Sequence, residues 1–258
     1  MNLMMMTLLD YLNNPDISSV DFVIAQYIIH HADEFNNITI TQMADLLGVS
    51  ISQISRFVHH IGLSSFQECK EVIQCHGQLS RHSLIQKNNV HHLNYQKYIQ
   101  EEIKFFFEQF NVLSLTELII DLKTYQKIGL FGMFNSGNAA KELQYNLALN
   151  GLLCVSMNDL NHQIKFIQEA NHETLIIIYS LSGEYVLDNV YSRYYHMLPV
   201  LKKSEAKIYV LTNNMDVQSL PYIDQMIYVP VLHRLYQYTF QCLNDLILME
   251  YQKSLFPK

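Results

Sequence analysis

The sequence predicts an all-α N-terminal domain followed by an α/β three-layer domain with a central, mostly parallel five-stranded sheet. Three observations carry this. Residues 1–77 read as helices only, with three capping signatures in succession. From Lys127 onward, short apolar runs alternate with longer amphipathic stretches, the rhythm of a parallel sheet covered by helices. Between these regions lies a polar, irregular stretch, residues 77–95, that contains Asn88-Asn89 and His91-His92. We therefore expect a first domain at 1–77, a linker at 78–95 and a second domain at 96–258.

In the first domain, Ser19 is placed to cap a helix whose apolar positions Val20, Ile24, Tyr27 and Ile28 fall at helical spacing. The cluster 34–37 ends that pattern. Thr39/Gln42, Ser50/Gln53 and Ser65/Glu68 each set Gln or Glu three residues after Ser or Thr, which predicts helices starting near 40, 51 and 66. Ala44 is small where two helices must cross closely. Gly48 follows four residues later, where the turn needs a positive φ. Ile54 lies six beyond that, apolar, to wedge between the helices. This is helix-turn-helix spacing, and it is also the spacing of an ordinary helical hairpin. Read as a helix-turn-helix, the second helix presents its N-terminal half to a major groove, with Ser50, Ser52, Gln53, Ser55, Arg56 and His59 as contact candidates and Ile51 exposed beside them. Gln53 suits adenine edges, and Arg56 suits guanine or phosphate.

In the second domain a helix carrying Ile99, Ile103, Phe106, Phe107 and Phe110 comes first, and Ser114 with Glu117 is placed to cap another. The run 105–107 reads as core or as a dimer contact. Expected strands are 128–131, 152–155, 175–179, 208–211 and 226–229. Expected helices include 139–150, 186–201 and a closing helix at 233–254. Three polar loops follow strands: 132–137, with Asn135 and Ser136; 180–184, with Ser180, Ser182, Gly183 and Glu184; and Thr212-Asn213-Asn214. Loops at the carboxyl ends of neighbouring parallel strands are where open α/β sheets take ligands, and backbone N–H groups there suit an anion. Neither a dinucleotide fingerprint nor a phosphate-binding loop ending in Lys is present.

Composition bounds the function. The 258 residues are 49% apolar and 16% charged, with a net charge of −7. No apolar run is long enough to span a bilayer, and the apolar start, 1–9, has no basic residue ahead of it and is cut short by Asp10, so no signal peptide is expected. Cys69, Cys75, Cys154 and Cys242 lack metal spacing and read as reduced thiols of a cytoplasmic protein. The twelve histidines show no i, i+4 pair with a third ligand, so neither a metal nor a cofactor is expected. Up to Arg81 three Lys and Arg (Arg56, Lys70, Arg81) stand against eight Asp and Glu, a balance of −5 that any DNA-binding reading must survive.

Met43-Ala44, Gly48-Val49-Ser50, Ile54-Ser55-Arg56-Phe57, and Ile61-Gly62-Leu63 with Phe66, Glu68 and Lys70 together resemble the N-terminal domain of RpiR-type regulators. That family usually has Thr at the place of Gln53 and basic residues at the place of His59-His60. Residues 127–230 are similar to the sugar isomerase (SIS) domain, whose two Ser-rich loops hold the phosphate of a phosphosugar; Ser136, Ser180, Ser182 and Gly183 match. Phe134 stands where that pattern has Gly, adding bulk. Tyr185 stands where it has the phosphate-binding Thr, and is expected to carry its hydroxyl outward.

A helix-turn-helix ahead of an SIS domain is the RpiR architecture. The resemblance implies a dimeric, DNA-binding transcriptional regulator controlled by a phosphorylated sugar or amino sugar. Its effector residues would be Asn135, Ser136, Ser180, Ser182, Gly183, Glu184 and Thr212. Its partners would be a double-stranded DNA operator, the phosphosugar effector and a second copy of the chain, as a homodimer or dimer of dimers, with no membrane and no catalytic residue. Two alternatives stand beside it. One is an SIS-type isomerase or lyase with His162 and Glu184 as an acid–base pair. The other is an interaction module that has lost DNA binding, as the −5 balance would suit.

Overall fold

Short, individually capped helices build the N-terminal unit. In the computed structural model the chain divides into two units, Met1–Ser80 and Arg81–Lys258. The structure describes residues 8, 9, 12, 18–32, 34–61, 63–74, 92–189, 192, 193, 195–233 and 235–255. Most of the expected linker, 78–91, lies outside the described residues, and 92–95 are already helical.

Helix α1 spans Ser19–His30. Its N-cap is Ser18, whose hydroxyl accepts from Asp21 N–H, so the cap sits one residue before the expected Ser19. A 3-10 turn, Phe35–Asn37, follows. Phe35, inside the segment read as polar, is fully buried against Phe66 with ring centroids 5.3 Å apart. Helices α2 (Ile40–Leu47) and α3 (Ile51–His60) begin at Thr39 and Ser50, and both capping boxes form as expected. The signature at Ser65/Glu68, ahead of α4 (Phe66–Gln74), forms by half. Ser65 Oγ accepts from Glu68 N–H, but the Glu68 carboxylate turns to Ser64, taking its N–H at 2.7 Å and its hydroxyl at 2.5 Å. The core between α1, α2 and α3 is Ile24, Ile28, Met43, Ala44, Ile54, Phe57 and Val58, all buried.

The second unit opens with α5 (His92–Gln109), a 3-10 turn (Val112–Leu115) and α6 (Thr116–Thr124). Ser114 does not cap α6, as had been expected. Its hydroxyl donates to the Asn111 carbonyl, and Asn111 caps the preceding turn. Phe106 is buried and stacks on Phe110, whereas Phe107, one position round the helix, is 53% exposed.

The strands are β1 (Lys127–Gly132), β2 (Thr174–Tyr179), β3 (Lys207–Thr212) and β4 (Gln225–Tyr228), all parallel, in the order β1-β2-β3-β4. The expected fifth strand, 152–155, is not one. It makes a single parallel bridge, Gly129 to Val155, on the free side of β1, with two backbone hydrogen bonds of 2.8 Å. A lone bridge secures one residue and leaves its neighbours to their own conformations.

β2 alternates between two cores, as a strand buried on both faces must. Leu175, Ile177 and Tyr179 pack with α5, α6, α7 (Asn135–Leu149) and the closing helix α10 (Tyr236–Leu255). Ile176 and Ile178 pack with α8 (Leu160–Gln168) and α9 (Met197–Leu201). The helix expected over 186–201 is broken: 183–189 and 195–196 are turns and bends, while 192–193 and α9 are helical. Among the described residues, no helix is long and apolar enough to cross a membrane.

Candidate DNA interface and effector loops

The turn between α2 and α3 is closed by Gly48 at φ 64°, ψ 32°. Val49 N–H reaches back to the Ala44 carbonyl at 3.0 Å, and Gly48 N–H to that of Asp45 at 3.4 Å, the paired closure typical of a left-handed helix end. An added Cβ at Gly48 would meet nothing within 4 Å, so the glycine is required by its dihedral and not by space.

On α3, Ser52, Arg56 and His59 are exposed, while Gln53 and Ser55 are half-buried. The Ser50 hydroxyl is committed to the cap. Gln53 Oε1 accepts from Ser50 N–H at 2.8 Å and from the Ser50 hydroxyl at 3.0 Å, which leaves only the Gln53 Nε2 side free. His59 Nδ1 lies 3.0 Å from the Leu63 carbonyl. Because a carbonyl only accepts, Nδ1 carries the proton and Nε2 is left for an outside partner. His60 Nδ1 is 3.4 Å from Asp21 on α1. Arg56 makes no hydrogen bond or ion pair among the described residues, and its head is open to solvent. Lys70, by contrast, is already used: Nζ donates to the Asn36 carbonyl at 3.0 Å and lies over the Phe66 ring. Arg81 lies outside the described residues. The positive charge of the described interface is therefore Arg56.

The strand register brings the three polar loops to one level. Gly132 pairs with Tyr179, and Tyr179 with Leu211, so β1, β2 and β3 end side by side. The loops are then laced together. Thr212 Oγ1 and Asn213 N–H both donate to the Leu181 carbonyl, and Asn214 Nδ2 donates to that of Ser182. The Thr212 hydroxyl also accepts from Asn214 N–H, so this fully buried group is occupied in the loop and not held open for a ligand. The Ser180 hydroxyl accepts from Tyr185 N–H at 3.1 Å. Ser136 and Ser182 hydroxyls make no hydrogen bond among the described residues, the first half-buried and the second exposed. Gly183, at φ 78°, holds the second loop's tight turn.

Two departures from the SIS pattern have structural outcomes. Phe134 adopts φ 58°, ψ −124°, a backbone that glycine takes freely and phenylalanine rarely does. The loop has kept the glycine conformation without the glycine. Tyr185 does not turn outward. It is fully buried, and its hydroxyl donates to Gln163 Oε1 at 2.8 Å. Gln163, also fully buried, donates through Nε2 to the carbonyls of Gly132, at 3.0 Å, and Met157. Burial holds the Tyr185 hydroxyl far above its ordinary range, and therefore neutral. Sequence reasoning missed Gln163, which joins the first loop to the second. It also missed Tyr236, at the start of α10, whose hydroxyl is hydrogen-bonded by Asn135. Burial pushes that hydroxyl up, and the Glu184 carboxylate adds to the shift. His162 and Glu184 are not joined as a pair by any bond among the described residues. His162 is tied to Asp159, its helix N-cap, at 3.3 Å and is largely exposed. No group of three or more His, Cys, Asp or Glu among the described residues could hold a metal ion.

These features define a class: a helix-turn-helix unit followed by a three-layer α/β unit with a laced polar loop edge. Residues 6–81 match the helix-turn-helix domain of the rpiR family. The HTH-type transcriptional regulator YfhH of Escherichia coli (strain K12), itself uncharacterized, is 23% identical over 177 residues, 65% of this chain and 63% of that protein. The chain thus aligns with less than two thirds of that relative's length. Among solved structures, the NanR protein of Vibrio vulnificus complexed with ManNAc-6P is 16% identical, with a TM-score of 0.53 over 97% of this chain and 92% of that one. The sugar isomerase domain of an RpiR transcription factor from Sphaerobacter thermophilus is 14% identical, with a TM-score of 0.50 over 63% of this chain and 89% of that one. At these identities the likeness is one of fold. Residues 6–81 thus match an rpiR-family helix-turn-helix domain, and the α/β unit that follows has a fold like that of the sugar isomerase domain.

Proposed function

We propose that the chain is a DNA-binding transcriptional regulator controlled by a phosphorylated sugar or amino sugar bound at the loop edge of its α/β domain. The observation that carries the DNA half is the intact turn into α3, with both capping boxes formed and Arg56 unpaired among the described residues. Ser50, Ser52, Gln53, Ser55, Arg56 and His59 would face the operator, Ser50 indirectly, as the cap of a helix end whose Ile51 and Ser52 N–H groups are left for phosphate. For the effector half, the loops carrying Asn135, Ser136, Ser180, Ser182, Gly183 and Glu184 begin at one level of the sheet. Thr212 would act indirectly, by shaping the loop. The ligand class follows the NanR structure, which holds ManNAc-6P.

The protein works in the cytoplasm as a homodimer or a dimer of dimers, and uses no cofactor. Exposed apolar side chains on α5, the following turn and α6 (Phe107, Leu113 and Ile120) suit a subunit contact. The test is an electrophoretic mobility shift at low salt on DNA flanking the protein's own gene, with and without a panel of sugar phosphates. We expect a retarded complex whose affinity changes with one of them. No complex under any of these conditions would refute the proposal.

A further inference from the structure

Gln237 is a half-buried residue whose polar end is completely sealed. Its Oε1 and Nε2 are both shut off from solvent, and neither has a hydrogen-bond partner among the described residues. Native structures rarely leave a buried amide in that state, because both groups lose their solvation and gain nothing in exchange. The same helix shows what a structural amide looks like. Asn244, fully buried on α10, accepts from the Tyr179 hydroxyl at 2.7 Å and donates to the Ala139 carbonyl at 2.9 Å.

The position of Gln237 is informative. It lies in the first turn of α10, beside Tyr236, whose hydroxyl is hydrogen-bonded by Asn135 of the first loop and feels the charge of Glu184 of the second. Helix α10 runs alongside α7 in the same direction: Gln241 meets Glu142, and Gln252 meets Asn150. Gln237 is one turn before Gln241 on the same face, and so lies level with the first turn of α7, the turn that leaves the first effector loop.

We propose that Gln237 is a ligand-binding residue of the effector site, its amide uncovered as the sugar enters and completed by it, through one ligand acceptor at Nε2 and one ligand donor at Oε1. This rests on the reading of the α/β domain as a sugar-phosphate site. A phosphate dianion offers acceptors only and would leave Oε1 unpaired. Gln237 therefore reads the sugar and not the phosphate, through neighbouring hydroxyls or through an acylamino group.

The test uses the full chain and Gln237→Leu, with Gln237→Met as a second variant should the first fold poorly. Thermal unfolding is followed alone and with glucose 6-phosphate, N-acetylglucosamine 6-phosphate, N-acetylmannosamine 6-phosphate and inorganic phosphate. We expect the variants to melt no lower than the wild type without ligand. For the sugar phosphate that stabilises the wild type, affinity in the variants should fall about tenfold or more, the loss of one or two hydrogen bonds, while any response to inorganic phosphate is unchanged. Loss confined to the N-acetylated sugars assigns the contact to an acylamino group, and loss with glucose 6-phosphate assigns it to hydroxyls. Undiminished sugar-phosphate binding by the variants overturns the inference while leaving the effector site standing. A lower melting point without ligand, or a changed oligomeric state by light scattering, gives the amide a structural partner and also overturns it. If no sugar phosphate stabilises the wild type, the effector reading fails first and takes this inference with it.

Discussion

Phe134 and Tyr185 are neighbours of the same loop edge and carry opposite energetic signs. At φ 58° the Phe134 side chain is held against a backbone preference of roughly 1–2 kcal/mol. Truncation to Ala keeps that strain, and truncation to Gly removes it. We expect Phe134→Gly to be more stable than Phe134→Ala by about 1 kcal/mol in urea unfolding, the reverse of the usual order for those residues. Equal stabilities would mean that the backbone relaxes once the ring is gone. Tyr185 is the well-satisfied partner. Tyr185→Phe removes one hydroxyl and leaves buried Gln163 Oε1 without its donor, which should lower stability by about 1–3 kcal/mol. The sequence showed that both residues break a pattern but not how. The direction of Tyr185 depends on Gln163, twenty-two positions earlier, and no local signal links the two.

At the level of elements, legibility followed the range of the forces involved. The capping boxes at Thr39/Gln42 and Ser50/Gln53 and the turn at Gly48 are decided within a few residues, and all formed as expected. The segment 152–155 has the composition of a strand, yet it forms one bridge, because a ladder needs a neighbour that runs alongside it. The stretch 186–201 has helical spacing, yet its first turn does not form, since Asn189 ties its side chain to the carbonyls of Glu184 and Leu187 and holds the chain in a loop. Gln237 was invisible for a similar reason, since an unmet amide is a property of packing. The helix-turn-helix gives a direct check on this local control. Gly48→Ala should destabilise the N-terminal unit by about 1–2 kcal/mol through its positive φ alone, and Gly48→Asn by less. Chemical denaturation followed by circular dichroism would measure both. A loss as large from Asn as from Ala would point to a cause other than the dihedral.

For the whole molecule the governing quantity is charge. A chain of net −7 whose candidate recognition helix, α3, carries Arg56 as its one Lys or Arg has few counterions to displace. If Arg56 and Arg81 of each protomer of a dimer are the phosphate contacts, log K against log salt should fall with a slope of about −2 to −4, shallower than for proteins that make six or more such contacts. Arg56→Ala should make it shallower still by about 2 and weaken binding on every sequence tested. Fluorescence anisotropy across a salt series reads both values. An unchanged slope would remove Arg56 from the interface.

The capping box at the start of α3 sets stability and recognition against each other. Gln53 closes the helix with the same oxygen that an adenine amino group would need. Glu at that position closes the box equally well and adds a negative charge at the helix's positive end, a gain of about 0.3–1 kcal/mol. The same charge would face the phosphates of the operator. Selection of this protein for heat resistance alone would therefore favour Gln53→Glu, and the hardiest clones would be those that no longer hold DNA.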